Sequence, residues 1–251
     1  MKKLLALVRY TVVDNARQKM FYALGLFGFV VLAGSGILSA IGGEQKIRVL
    51  RDMGHFAAEY IALFSAVLVG TNFIYDEMEN KSVYMIAARP VPRWVYLAGR
   101  YMGFLLSVAA LLALMEVFNT AVVLLAGGLP EPADALLTLL SAMKMAVVLA
   151  LAMLLAMLTT SRAASMGFTL FLWVLGHFTE EMAFLSSLAS SPVVKALAWA
   201  SRFIVPRLDK FSPMDTGVVT AGHLVAVMSY TLMYSFAAVG AAWLVFRKKE
   251  F

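Results

Sequence analysis

Cysteine is absent from this sequence, and with it disulfides, thiolate metal ligands and cysteine nucleophiles. Charge is scarce too: only 14% of the 251 residues are Asp, Glu, Lys or Arg, too few to cover one soluble core of this length. Histidine occurs only as His55, His177 and His223, and there is no H-E-x-x-H, G-x-S-x-G or G-x-x-x-x-G-K-[ST] pattern. No catalytic residue and no metal ligand is therefore assigned to the chain, and no internal repeat supports an inverted-repeat carrier. What is present is apolar, at 62% hydrophobic residues and a mean hydropathy of +0.83, so lipid is the implied solvent. The net charge of +6 sits at segment ends, an arrangement that suits anionic lipid headgroups and not nucleic acid.

A membrane-crossing helix needs about 20 mostly apolar residues. Six stretches meet that test: 21–41, 54–75, 101–126, 139–158, 164–184 and 223–246. The expected fold is a single all-α transmembrane domain over 1–251. Residues 1–19 carry charges throughout and lack a small-residue cleavage site, which predicts no cleavable signal peptide. In that stretch Leu4, Leu5, Leu7, Val8, Val12 and Val13 approximate one helical face, with Lys2, Lys3, Arg9, Arg17 and Lys19 around it. The pattern fits a helix lying in the membrane interface or, equally, a cytoplasmic extension of the first span.

Orientation follows from positive charge. With the N-terminus inside, 13 Lys and Arg fall on the cytoplasmic side (residues 2, 3, 9, 17, 19, 81, 89, 93, 100, 162 and 247–249) against 7 outside (46, 48, 51, 195, 202, 207 and 210). Both termini are thus expected in the cytoplasm of a cell whose inner or plasma membrane holds the chain. The external connection 185–222 contains SPVVKALAWASRFIVPRL, whose apolar period between two prolines predicts a short helix resting on or dipping into the outer leaflet.

Ionisable residues inside a span are costly and stand as functional candidates. Three stand out: Glu59 in the second span, Glu116 in the third and Lys144 in the fourth. Glu116 lies 14 residues before Pro130 and Lys144 lies 14 after it, so the two are expected at one depth on adjacent antiparallel helices, as an ion pair fixing the hairpin. Glu59 is expected nearer the outer end, sharing a face with His55. Thr179-Glu180-Glu181 resembles the paired glutamates of intramembrane CAAX-type proteases, but the arginine that motif requires four residues on is Leu185 here. Glu180 and Glu181 then read as the wet end of the fifth span. Gly25, Gly28, Gly34 and Gly36 in the first span allow close packing, at a dimer seam or internally.

Between the second and third spans, residues 76–100 read DEMENKSVYMIAARPVPRWVYLAGR. Asp76, Glu77 and Glu79 favour a helix start, Met78, Val83, Met85 and Ile86 give an apolar side, and Pro90 and Pro92 end the element before Arg93 opens the next helix. The expectation is a short amphipathic helix over 77–88 at the cytoplasmic face; a solvated loop is the plainer alternative. The order Glu77-Met78-Glu79, Ile86-Ala87-Ala88-Arg89-Pro90-Val91-Pro92-Arg93, Tyr96 and Gly99-Arg100 resembles the membrane subunit of type-2 ABC exporters. That family carries acidic-x-acidic, an apolar turn and Pro-Val-x-Arg followed by an aromatic and Gly-Lys. Where it usually has Gly-Thr this chain has Asn80-Lys81-Ser82, and for Gly-Lys it has Gly99-Arg100.

The resemblance implies that Glu77, Glu79, Val83, Met85, Ile86, Arg89, Pro90 and Arg93 form a coupling helix seated in a separate ATPase subunit. It further implies a second permease copy or homologue as partner, ATP and Mg held in the ATPase rather than in this chain, and outward transport. Family members serve drugs, polysaccharides, lipids and the maturation of copper enzymes, and nothing in the residues selects among these. An ion-coupled carrier or channel working without an ATPase is the expectation from another class.

Overall fold

The computed structural model describes residues 2–18, 22, 24–26, 28–31, 33–34, 45–79, 92–179, 181, 184, 205–212 and 221–248, without the side chains of 2, 3, 77–79 and 248. The described residues form helices and no strand. The main elements are α1 (Lys2–Arg17), α2 (Lys46–Glu79), α3 (Arg93–Leu125), α4 (Pro132–Leu158), α5 (Arg162–His177) and α6 (Ala221–Lys248), with a 3₁₀ turn at Asp209–Phe211 before α6. Four of them, α2, α3, α4 and α6, are long and apolar enough to cross a membrane, which fits a membrane-embedded protein. The expected first span lies mostly outside the described residues. In place of the expected fifth, α5 has 16 residues, about 24 Å at 1.5 Å per residue, short of the hydrocarbon thickness.

The centre of the bundle is α4, which packs on α2, α3, α5 and α6. Its residues from Met145 to Met153 are all 5% exposed or less, as befits a helix apolar on every side. Its start has a local cause: Pro132 occupies the first turn, where a missing N–H costs nothing, and Asp134 Oδ2 accepts the Glu131 N–H at 3.1 Å. The preceding turn closes α3 through Gly127 (φ 88°), with Gly128 N–H donating to Val123 O at 2.9 Å and Gly127 N–H to Leu124 O at 3.0 Å. The α6 surface bearing Val225, Leu232, Met233 and Phe236 is exposed, as lipid-facing positions would be.

Polar bonds tie helix ends into two layers. At one end Asp76 pairs with Arg162 (2.9 Å), Tyr75 OH donates to Thr159 O (3.1 Å), and Arg93 Nη1 donates to Arg247 O (3.1 Å). At the other, Arg51 Nη2 donates to Leu129 O at 2.9 Å. These bonds make α2, α4 and α6 run one way and α3 and α5 the other. We refer to the two as the Arg93 end and the Arg51 end.

Helix α1 departs from the expected amphipathic arrangement. It lies along α3 in the same direction: Leu7 meets Gly99, Thr11 meets Gly103, and Asn15 Nδ2 donates to Ser107 Oγ at 3.2 Å. A Cβ on Gly99 would come within 2.5 Å of Leu7 Cδ2, and one on Gly103 within 2.5 Å of Thr11 Cβ, so only glycine admits this approach. The contact stripe is thus half-buried Leu7, from the expected apolar face, with buried Thr11 and Asn15, while Leu5 and Val13 of that face are exposed at 75% and 43%. The small residues of α3, spaced every four, decide the docking face over the hydrophobic count of α1.

Candidate functional site

Charged side chains gather at the Arg51 end in two clusters that α2 supplies at successive turns, with Arg51, His55 and Glu59 on one face. In the deeper cluster Lys144 Nζ donates to Glu59 Oε1 (2.7 Å), Ser212 Oγ (3.1 Å) and His177 Nε2 (3.4 Å). His177 Nδ1 lies 2.9 Å from Trp173 O, an acceptor only, so the proton sits on Nδ1 and Nε2 is free to accept from the ammonium. Ser141 Oγ donates to the second oxygen of Glu59 at 3.2 Å. Lys144 is among the most buried side chains of the molecule, at 1% exposure, and all three ammonium protons have an acceptor within reach.

In the shallower cluster His55 bridges two carboxylates, with Nδ1 2.9 Å from Glu116 Oε2 and Nε2 3.3 Å from Asp134 Oδ1. Each contact needs one proton between nitrogen and oxygen, so the triad holds together with two shared protons. Arg51 Nε lies 3.4 Å from the same Asp134 oxygen, and the guanidinium also bonds Glu131 and the Leu129 carbonyl. Asp134 therefore serves both as the first-turn acceptor of α4 and as the second carboxylate on His55. Asn119 Nδ2 closes the layer on the Arg51 carbonyl at 3.4 Å.

The expected Glu116–Lys144 pair is not formed. Lys144 pairs with Glu59 and Glu116 with His55. Depth is the first reason: α3 ends at Leu125 and α4 begins at Pro132, so Glu116 lies about 13 Å from its helix end and Lys144 about 18 Å from its own. Azimuth is the second. Lys144 faces α2, which packs on α4 over its whole length, and α2 presents carboxylate and imidazole one turn apart. Sequence reasoning placed His177, Ser212, Ser141, Arg51 and Asp134 in no site. The helical spacing of 51, 55 and 59, and of 134, 141 and 144, carried that signal.

Residues 205–212, from the expected external connection, also belong here. Leu208 N–H donates to Gly176 O at 2.9 Å, Leu208 and Phe211 are buried, and Asp209 accepts from Thr179 Oγ1 at 2.6 Å. The backbone of Pro206 comes so near Gly176 that a Cβ there would stand 2.7 Å from its carbonyl. The apolar stretch 191–204 and Glu180 lie outside the described residues.

At the Arg93 end, Val83, Met85, Ile86, Arg89 and Pro90 lie outside the described residues, so the expected helix over 77–88 does too, apart from its first turn. That turn is not a helix start. The α2 helix runs unbroken to Glu79, placing Asp76, Glu77 and Glu79 in its last turn. No Gly or Pro interrupts 71–79, and Asp76 finds its counter-charge in Arg162. Pro92 stands at the N-cap of α3 and Arg93 at its first residue, as the sequence pattern expects. Arg93 also lies over the Phe246 ring, 6.0 Å from its centroid. Arg100 is buried beside Tyr10, Tyr96 and Phe104, each centroid 5.6–5.7 Å away, and 3.8 Å from Asp14. Of the glycines expected in a first span, Gly28 packs internally against Met115, Gly25 and Gly34 have open space beside them among the described residues, and Gly36 lies outside those residues.

The sequence matches no protein-family model and none of the curated proteins searched.

Proposed function

We propose that this chain is the membrane-spanning subunit of an ABC exporter of the type-2 class, with six spans and both termini in the cytoplasm. It works as two such subunits with two ATPase subunits that bind ATP and Mg and drive export. The observation that carries this reading is the segment from Glu77 to Arg100, with its acidic pair, Arg89-Pro90-Val91-Pro92-Arg93 exit and Gly99-Arg100. Its position supports the reading: it connects the end of α2 to the start of α3 beside the α5 start and the α6 end, where a push is passed to four helices together. The 251 residues carry no phosphate-binding loop, which fits an ATPase supplied from outside them.

A second reading, an ion-coupled carrier, is favoured by one observation: His55 held between Glu116 and Asp134 within the length of an apolar helix, a group that could carry a proton. Co-purification separates the two. Tagged chain isolated from its native membrane in mild detergent should bring down a P-loop ATPase, and recovery of the chain alone with proton-gradient-driven uptake by vesicles would overturn the exporter reading.

A further inference from the structure

Between the Arg51-end halves of α3 and α4 the described residues line an open lateral groove of about 510 Å³. Its walls carry small residues, Ala113 and Ala121 on α3 and Ala135 on α4. That volume is of the size that takes a compact organic molecule, and the lining is almost wholly apolar. Glu116 is the only ionisable residue among those lining it, with the hydroxyls of Thr120 and Thr138 as further polar groups.

The exchange of ion-pair partners gives this groove its sign. Lys144 is committed to Glu59, so among the described residues Glu116 shares the single His55 ring with Asp134, and the triad with its two shared protons keeps one negative charge. The other Glu116 oxygen, Oε1, is buried with no hydrogen-bond partner among the described residues. A carboxylate left half-satisfied beside an apolar surface stabilises a positive charge more than it would in water, because little solvent screens the pair. We infer that this groove binds amphipathic organic cations, the apolar body seated between the alanines and the positive charge held near Glu116. The geometry disfavours anions of the same shape, which would set like charges together in a poorly screened place. The inference does not rest on the ABC reading, since such binding needs neither nucleotide nor a second subunit.

The experiment uses the full chain in lipid nanodiscs and two probes of matched shape and opposite charge, radiolabelled tetraphenylphosphonium and tetraphenylborate, in equilibrium dialysis against empty nanodiscs of the same lipid. The cation should bind saturably above the empty discs and the anion should not. Ala121→Trp fills the groove from an exposed position and should abolish the excess binding while leaving the thermal unfolding midpoint in place. Glu116→Gln should weaken the cation by about ten-fold or more. If Glu116→Gln fails to fold, Ala121→Trp decides alone. Equal excess binding of both probes, no saturable binding of the cation, or full binding by Ala121→Trp would overturn the inference.

Discussion

Lys144 donates to Glu59 across the α2–α4 contact at 2.7 Å, and this bond, joining two helices that run the same way, leaves Glu116 to pair with His55. Its energetic test is a double-mutant cycle. Lys144→Met alone leaves Glu59 without its cation, and Glu59→Gln alone strands a nearly inaccessible ammonium; the second should cost about 3–5 kcal/mol and the first less, because Glu59 retains 23% side-chain exposure. The double variant should recover much of the loss. Glu116→Gln combined with Lys144→Met should instead be additive within about 0.5 kcal/mol, since the two share no bond. Unfolding in detergent, followed by fluorescence, measures these variants and Glu116→Gln alone; strong coupling between Glu116 and Lys144 would contradict the arrangement described.

The long apolar helices were legible because burial in lipid imposes one rule on composition and length, and α2, α3, α4 and α6 obey it. Pairing was not, because residue counting yields depth but no azimuth: Glu116 and Lys144 look opposed on paper while their side chains turn to different residues of α2. The docking face of α1 escaped for another reason. A reading by hydrophobic face selects Leu5 and Val13, whereas contact is decided by where α3 offers Gly99, Gly103 and Ser107. The extent of α2 to Glu79 was obscured by the rule that acids begin helices, which Arg162 outweighs locally.

The α1–α3 seam can be broken at one atom. Gly103→Leu places a branched side chain where Thr11 now touches the backbone, and overpacking of this kind costs about 1–3 kcal/mol. The expected outcome is release of α1, read as rapid proteolytic loss of residues 2–17 while the α2–α6 bundle keeps its unfolding midpoint. Protection equal to wild type would show that α1 is held by something other than this stripe.

Sidedness is open to a clean labelling experiment because the chain has no cysteine to give background. Ala133→Cys is exposed beside the α3–α4 turn, whereas Asp134 is occupied as a cap and an ion-pair partner. Impermeant maleimide applied to intact cells should label Ala133→Cys and should not label a cysteine added after Phe251, following the positive-inside bias. Labelling of both from outside would place an odd number of crossings between residues 133 and 251 out of the account and break the six-span proposal.

The most consequential prediction concerns Glu79 and Met85. If the 80–91 stretch is the mechanical contact with an ATPase, Glu79→Lys with Met85→Asp should abolish co-purification of that subunit, since a docked apolar anchor would then bury an unpaired carboxylate at a cost of about 2–5 kcal/mol. The two positions are chosen because they lie beyond the last ion pair of the bundle, Asp76 to Arg162, so membrane insertion and the Arg51-end clusters should be untouched. A variant lacking that pair, Arg162→Gln, is the necessary companion: it loosens the α2 and α5 ends without altering residues 77–91, and should weaken ATPase stimulation while keeping the subunit bound. Loss of binding in both would mean that the bundle end, not the apolar side of the loop, makes the contact. Retention of full substrate-dependent ATPase stimulation by the doubly substituted chain would remove the main support for an exporter, because nothing else in the sequence points to a nucleotide-driven partner.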